Sequence, residues 1–338
     1  MAARRVLIRV DGTRDIGLGH VVRMRTLALA LRERGDGVTV ATRRNSVGAK
    51  LMAETGLAVR ELPDPPSLSD LAEVAAAIRP DLTVVDTLET TDAELAALRG
   101  DRLVTFDDWR AGLRTADAVI NAIIFHWGRY RREDTGATLF EGPAYMILPP
   151  DIAARAGRAP AIAPTARRLF LAFGGTDTRG LTPRMLDVLA RLSGPLEVCV
   201  NLGPGAEGAG ATRAAATRSP HQIQILAAAS SLADEFAAAD LAVCGGGNML
   251  YELAALGVPA AALATEEHEV LNVRYWANIG SAADLGDWRA FEPGRIAAAL
   301  AALIADRAAR AAMSAAGRMA VDGGGLARCL AVLDGLVA

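Results

Sequence analysis

The sequence predicts an α/β protein made of two doubly wound, Rossmann-like halves facing a cleft. Three observations lead there. Short β-branched runs alternate with alanine- and leucine-rich segments of helical spacing, the pattern of a parallel sheet covered on both faces. The alternation breaks once, between Gly142 and Arg168, where five prolines fall in a stretch without periodicity. Beyond that break the same rhythm starts again, so the break reads as a linker between domains.

In the first half, taken as 1–150, "RRVLIRV" is a strand and the chain from about His20 to Arg34 a helix. "GVTVAT" leads into a helix around Gly48 to Glu54, and "DLTVVD", "DRLVTFDD" and "ADAVIN" continue the series of strands. The second half, taken as 165–338, has strands in "RRLFLAF", "LEVCVNLG", "HQIQILAA", "ADLAVC" and "VPAAALAT" and, after about Phe291, an alanine-rich helical tail, for which a last helix crossing back to the first half is left open. In open parallel sheets ligands bind beyond the carboxyl ends of strands, so the loops that follow these strands carry the candidate site.

Composition narrows the function classes. The chain has 338 residues, enough for two domains, and is 51% hydrophobic and 22% charged with a net charge of −3. That balance gives no reason to expect nucleic acid or an anionic membrane as partner. Cys199, Cys244 and Cys329 are far apart and read as small buried hydrophobes, which implies a reducing compartment. The N-terminal apolar run is too short for a signal peptide, and no stretch approaches the roughly 18 apolar residues of a membrane helix. A cytoplasmic protein is expected.

The first loop, "VDGTRDIGLGHVVRMR", runs from strand to helix. Gly17 and Gly19 begin a dinucleotide fingerprint, but no third glycine follows and the next strand ends without an acidic residue, so NAD and FAD are not expected. The glycines still let backbone approach an anion at a helix N-terminus. His20, in the first turn, suits proton transfer, with Asp11 or another carboxylate orienting its ring; the alternative is a capping histidine. Arg23, one turn on, and Asp86, which ends "DLTVVD", join the candidate substrate- and phosphate-binding set.

The second loop, "CGGGNMLYELAALGVP", places Gly245, Gly246, Gly247 and Asn248 before an amphipathic helix, as a diphosphate cradle requires. Glu252, about a turn and a half into that helix, is suited to accept hydrogen bonds from both ribose hydroxyls, or is a solvated helix charge. The third loop supplies Gly174, Gly175 and Thr176. Asn248 and Asn272 are candidate polar contacts or caps, and His268 follows a strand on the cleft side. Asp107 and Asp108 read as loop caps. No metal-ligand spacing occurs, and neither a metal nor another cofactor is expected.

These motifs resemble the signature of the PseG-like nucleotide-sugar hydrolases, to which the SpsG-type spore-coat polysaccharide proteins are related. The similarity rests on "RVDGTRDIGLGHVVRMRTLALAL", "VTFDDW", "ADAVINA", "LAFGGTD" and "CGGGNMLYELAALGVPAAAL" and runs to about Leu285. It implies a two-domain GT-B architecture like that of MurG, with a uridine diphosphate sugar held mainly by the second domain and no metal. It also implies a catalytic histidine at His20, a ribose-binding glutamate at Glu252 and a ligand-binding asparagine at Asn272. Two departures stand out: the family's Asp-His-Tyr is Asp86-Thr87-Leu88 here, and its Ser-Thr after the glycines is Gly247-Asn248.

The expectation is therefore a hydrolase that cleaves the anomeric C–O bond of a UDP-activated, amino-deoxy sugar in glycan or nonulosonic acid biosynthesis. A GT-B glycosyltransferase using the same site is the first alternative, with the segment of Phe125, Trp127 and Tyr130 serving either its acceptor or as a lid over a small sugar. A non-catalytic nucleotide-sugar binding protein is the second.

Overall fold

The structure, a computed structural model, describes residues 3–12, 18–87, 89–124, 135–175, 177–203, 208–226 and 231–337. The chain forms two compact units, Met1–Pro150 with Gly324–Ala338, and Asp151–Gly323.

The first unit alternates β1 (Arg5–Val10), α1 (Gly19–Glu33), β2 (Gly37–Arg43), α2 (Val47–Ala53), β3 (Ala58–Leu62), α3 (Leu68–Ile78) and β4 (Leu82–Asp86). It continues with α4 (Asp92–Leu98), β5 (Arg102–Phe106), α5 (Ala111–Thr115), β6 (Ala118–Asn121) and β7 (Thr138–Glu141). Among the described residues its seven strands pair in parallel, in the order β3-β2-β1-β4-β5-β6-β7. Helices cover both faces, so central strands such as VLIRV and LTVVD are buried along their whole length. One face packs Val6, Ile8 and Val84 against Val21, Met24, Leu27 and Leu31 of α1, whose spacing keeps them on one side of the helix. The other packs Leu7, Val85 and Leu103 against Leu71 and Leu95.

The second unit begins with α6 (Pro150–Ala153), whose first residue belongs to the first unit, and β8 (Arg168–Ala172), α7 (Leu181–Leu189), β9 (Glu197–Asn201), α8 (Ala209–Arg218) and β10 (Gln222–Leu226). There follow α9 (Ala233–Ala238), β11 (Leu241–Cys244), α10 (Met249–Leu256), β12 (Ala260–Ala264), α11 (Glu269–Asn278), β13 (Ala282–Asp287), α12 (Pro293–Ala305) and α13 (Arg307–Ala320). Its sheet runs β10-β9-β8-β11-β12-β13, again all parallel.

In each sheet the strand order reverses once, between β1 and β4 in the first and between β8 and β11 in the second. At such a switch point the loops leave in opposite directions and open a crevice. The register puts Val10 beside Asp86 in the first unit and Cys244 beside Ala172 in the second. The sequence-predicted loops therefore start at the two switch points.

Two boundaries differ from the sequence expectation of 1–150 and 165–338. Residues 151–167 belong to the second unit because they are bonded to it: Gly157 N–H donates to Ala255 O at 3.2 Å, and Arg310 Nη2 to Ala163 O at 2.6 Å. At the other end α14 (Gly325–Val337) belongs to the first unit. Its Cys329, Val332 and Leu333 join the core beneath α1, and Arg4 and Arg34 both pair with Asp334. Cys244 and Cys329 are fully buried and Cys199 half-buried, all three as free thiols. No helix among the described residues is long and apolar enough to cross a membrane.

Candidate functional site

His20 is the second residue of α1, and its side chain is 12% exposed. Its Nδ1 lies 2.7 Å from Oδ1 of Asp86, a fully buried carboxylate at the end of β4. An ionised carboxylate only accepts, so Nδ1 carries the proton and Nε2 keeps a free lone pair. Asp86 was expected to touch substrate; its oxygens are instead taken by protein donors. Arg23 grips it with two parallel bonds, Nε to Oδ2 at 2.6 Å and Nη2 to Oδ1. Burial works against the charge on Asp86, but Arg23 and His20 outweigh it and hold the carboxyl down at about 2.

Arg23, expected to bind phosphate, is likewise consumed within the protein. It is 2% exposed, and its Nη1 meets Oδ2 of Asp107 while its guanidinium sits 5.9 Å above the Phe106 ring. Burial disfavours its charge, yet Asp107 and then Asp86 keep its pKa above the ordinary arginine value. Asp107 follows β5 in a left-handed conformation (φ 48°), and its Oδ1 accepts from Ile123 N–H at 2.9 Å. Asp108 accepts from Arg110 N–H at 2.8 Å and Gly112 N–H at 3.1 Å, at the entry to α5.

Asp11 is not the carboxylate that orients His20. Its oxygens are bonded by Arg9 Nη1 at 2.5 Å and Nη2 at 2.6 Å, and Arg43 Nε lies 2.9 Å away. Arg9 is a buried cation on β1, so the nearest carboxylate is drawn to it. Gly19 opens α1. Gly17, Thr176 and Leu88 lie outside the described residues, as do Phe125, Trp127 and Tyr130.

In the second unit the loop Gly245–Asn248 leads from β11 into α10. Gly246 is glycine for a packing reason: a Cβ there would come within 2.7 Å of Val273 Cγ2 and 2.8 Å of Glu269 Cβ. The Gly246 amide is already used, donating to Glu269 Oε2 at 3.1 Å, which also accepts from Thr265 N–H at 2.7 Å and Thr265 Oγ1 at 2.8 Å. The next three N–H groups, of Gly247, Asn248 and Met249, donate to no described residue. They are the open start of an eight-residue helix, the arrangement that receives phosphate oxygens. Asn248 stands at the N-cap without a side-chain capping bond.

Glu252 falls in the first turn of α10, earlier than expected, because the helix begins only after Asn248. Burial, and next the charge of Asp151, push its carboxyl up to about 7. Asn272 is fully buried, and both ends of its amide are taken: Nδ2 donates to Gly246 O at 2.6 Å and Oδ1 accepts from Tyr251 Oη at 2.7 Å. It therefore holds the glycine loop from within the unit. Gly174 takes a left-handed turn (φ 72°) after β8, and Gly245 N–H bonds Ala172 O at 3.3 Å, which ties that turn beside the glycine loop. His268 stands at the N-cap of α11, one residue before Glu269.

Sequence reasoning missed Glu269 and reduced Asp107 to a cap. A signal for Glu269 was present: Glu269, Asn272 and Val273 are spaced i, i+3, i+4 and so share the helix face that meets Gly246. Asp107 had none, since its partner Arg23 lies 84 residues away.

No protein-family model matches the chain. Over 338 residues it is 26% identical to the spore coat polysaccharide biosynthesis protein SpsG of Bacillus subtilis (strain 168), covering 97% of each chain. Among solved structures it is similar to MurG of Acinetobacter baumannii, with a TM-score of 0.71 and 16% identity over 98% of this chain and 99% of that one. The spinosyn rhamnosyltransferase SpnG, solved with thymidine diphosphate, matches with a TM-score of 0.65 and 18% identity over 97% and 100% of the two chains. The chain thus has the fold of GT-B glycosyltransferases and is similar in sequence to a polysaccharide-biosynthesis protein.

Proposed function

We propose that the protein transfers a glycosyl group from a nucleoside diphosphate sugar, with uridine or thymidine diphosphate as the leaving group. The observation that carries this is the His20–Asp86 pair, which fixes one ring nitrogen as donor and leaves Nε2 as a base. His20 Nε2 would take the proton of the attacking hydroxyl, and Asp86 would stabilise the imidazolium that forms. The sugar's anomeric carbon forms a bond to the acceptor oxygen while its bond to the diphosphate oxygen breaks. The charge left on the diphosphate would be met by the N–H groups of Gly247, Asn248 and Met249 and by the positive end of α10. Glu252, deprotonated, would accept from the ribose hydroxyls. The thymidine diphosphate bound by SpnG and the polysaccharide role in the name of SpsG favour this ligand class.

Glycosyltransferases among the structures of like fold favour a hydroxyl acceptor over water, so hydrolysis of an amino-deoxy sugar nucleotide becomes the second reading. The family signature around His20 and Glu252 is what keeps it. The test is incubation with UDP-, dTDP-, GDP- and CMP-sugars, reading free nucleotide by chromatography with and without polyol or glycan acceptors. Release only with acceptor supports transfer, and release in buffer alone supports hydrolysis. No release from any donor by the folded protein overturns both.

A further inference from the structure

Once His20 has taken a proton, its ring carries a positive charge beside Arg23, whose Nη2 lies 3.1 Å from Nδ1. Asp86 touches both cations, and a single carboxylate cannot offset two positive charges in a buried site. The second negative charge comes from Asp107, on the far side of the guanidinium, fixed there by Ile123 N–H. Among the described residues, Arg328 of α14 is a further cation near Cys329, with its Nη1 donating to Ala144 O at 2.9 Å, and the Asp108 carboxylate accepts from Thr90 Oγ1 and from Arg110 and Gly112 N–H. The Cys329 thiol of α14, beside Arg23 and Asp107, is pushed up to about 12 by burial and stays neutral. At the ends of β1 and β2, Arg9 and Arg43 both pair with Asp11, and Arg43 also with Asp64, so two cations meet two carboxylates there. Two carboxylates and one guanidinium leave one net negative charge for the ring to neutralise.

We propose that Asp107 is a positioning residue that acts through Arg23: it offsets the guanidinium so that the charge of Asp86 remains available to a protonated His20. Its consequence for catalysis rests on the reading of His20 as a base. The arrangement also explains why a left-handed backbone is accepted at a non-glycine residue. In that conformation the same side chain reaches both Arg23 and Ile123 N–H, linking the cation to the segment that follows β6.

The test is a pH titration of the histidine ring Cε1–H signals by NMR. The chain has four histidines, and His20→Asn assigns the one in question. In Asp107→Asn the His20 midpoint falls by about one pH unit or more, the scale set by an uncompensated neighbouring charge. Asp107→Glu, which keeps the charge, brings it back towards wild type. A midpoint unchanged in Asp107→Asn, or as low in Asp107→Glu as in Asp107→Asn, overturns the proposal. If Asp107→Asn does not fold, Asp107→Ser, which also removes the charge, is read in its place. The midpoint again falls, and a rise or no change overturns the proposal. None of these readings needs turnover, so failure of the glycosyl-transfer assay and failure of this proposal are distinguishable.

Discussion

His20 and Asp86 are 66 residues apart in sequence, yet Nδ1 and Oδ1 are 2.7 Å apart. The reason is topological. Strands β1 and β4 are neighbours only because the strand order reverses there, which brings the start of α1 to the end of β4.

The first prediction concerns that pair. In His20→Asn, nucleotide release from the true donor falls about 10²–10⁴-fold, the usual worth of a positioned proton transfer. UDP affinity measured by calorimetry stays within about twofold of wild type, because the amides and Glu252 lie in the other unit. Full turnover in the folded variant would remove His20 from the chemistry.

Glu252 gives a prediction with a definite sign. Its folded pKa, near 7, is raised above the unfolded value of about 4.3. Between those values the folded state binds the extra proton, so stability falls as pH rises from about 4.3 to about 7, and the cost is complete above 7. Glu252→Gln removes the charge. Thermal melts should show it more stable than wild type at pH 8, with the gain gone near pH 4. At pH 8 the same variant should bind UDP on the order of tenfold or more weakly, through loss of a charged acceptor. A melting difference independent of pH would show that Glu252 does not titrate in this way.

Gly246→Ala tests the packing behind the glycine loop. The added methyl meets Val273 and the stem of Glu269, so α11 or the loop must shift. Overpacking of this kind costs roughly 1–3 kcal/mol, readable by urea denaturation. UDP affinity should drop as well, since the displaced loop carries the open amides. Wild-type stability together with wild-type affinity would mean that the contact is soft.

The sheets were legible because central strands of a doubly wound fold are apolar on both faces, as in VLIRV and LTVVD. Strands β3, β7 and β13 were not read. AVREL and TLFE lie at or near sheet edges with most residues part-exposed, and AADLGD carries two acidic residues, so none shows a continuous apolar run. His20 and the glycine loop could be read because each is a local motif between a strand and a helix. The roles of Asp86, Arg23 and Asn272 could not, because each depends on a partner elsewhere in the chain. A buried arginine between two aspartates and a surface phosphate ligand look alike as letters. Only the packing shows that both faces of the guanidinium fork are already taken.

The return of α14 to the first unit bears on how a ribosome delivers this protein. Cys329, Val332 and Leu333 complete the core under α1, yet all of Asp151–Gly323 is translated before they emerge. At roughly 5–20 residues per second that interval lasts about ten to thirty seconds. Throughout it, the core of the nascent first unit lacks Cys329, Val332 and Leu333. The second unit has every strand and helix of its own core in one continuous stretch and can fold in order of synthesis. The later-made half of the chain is therefore the one able to finish first.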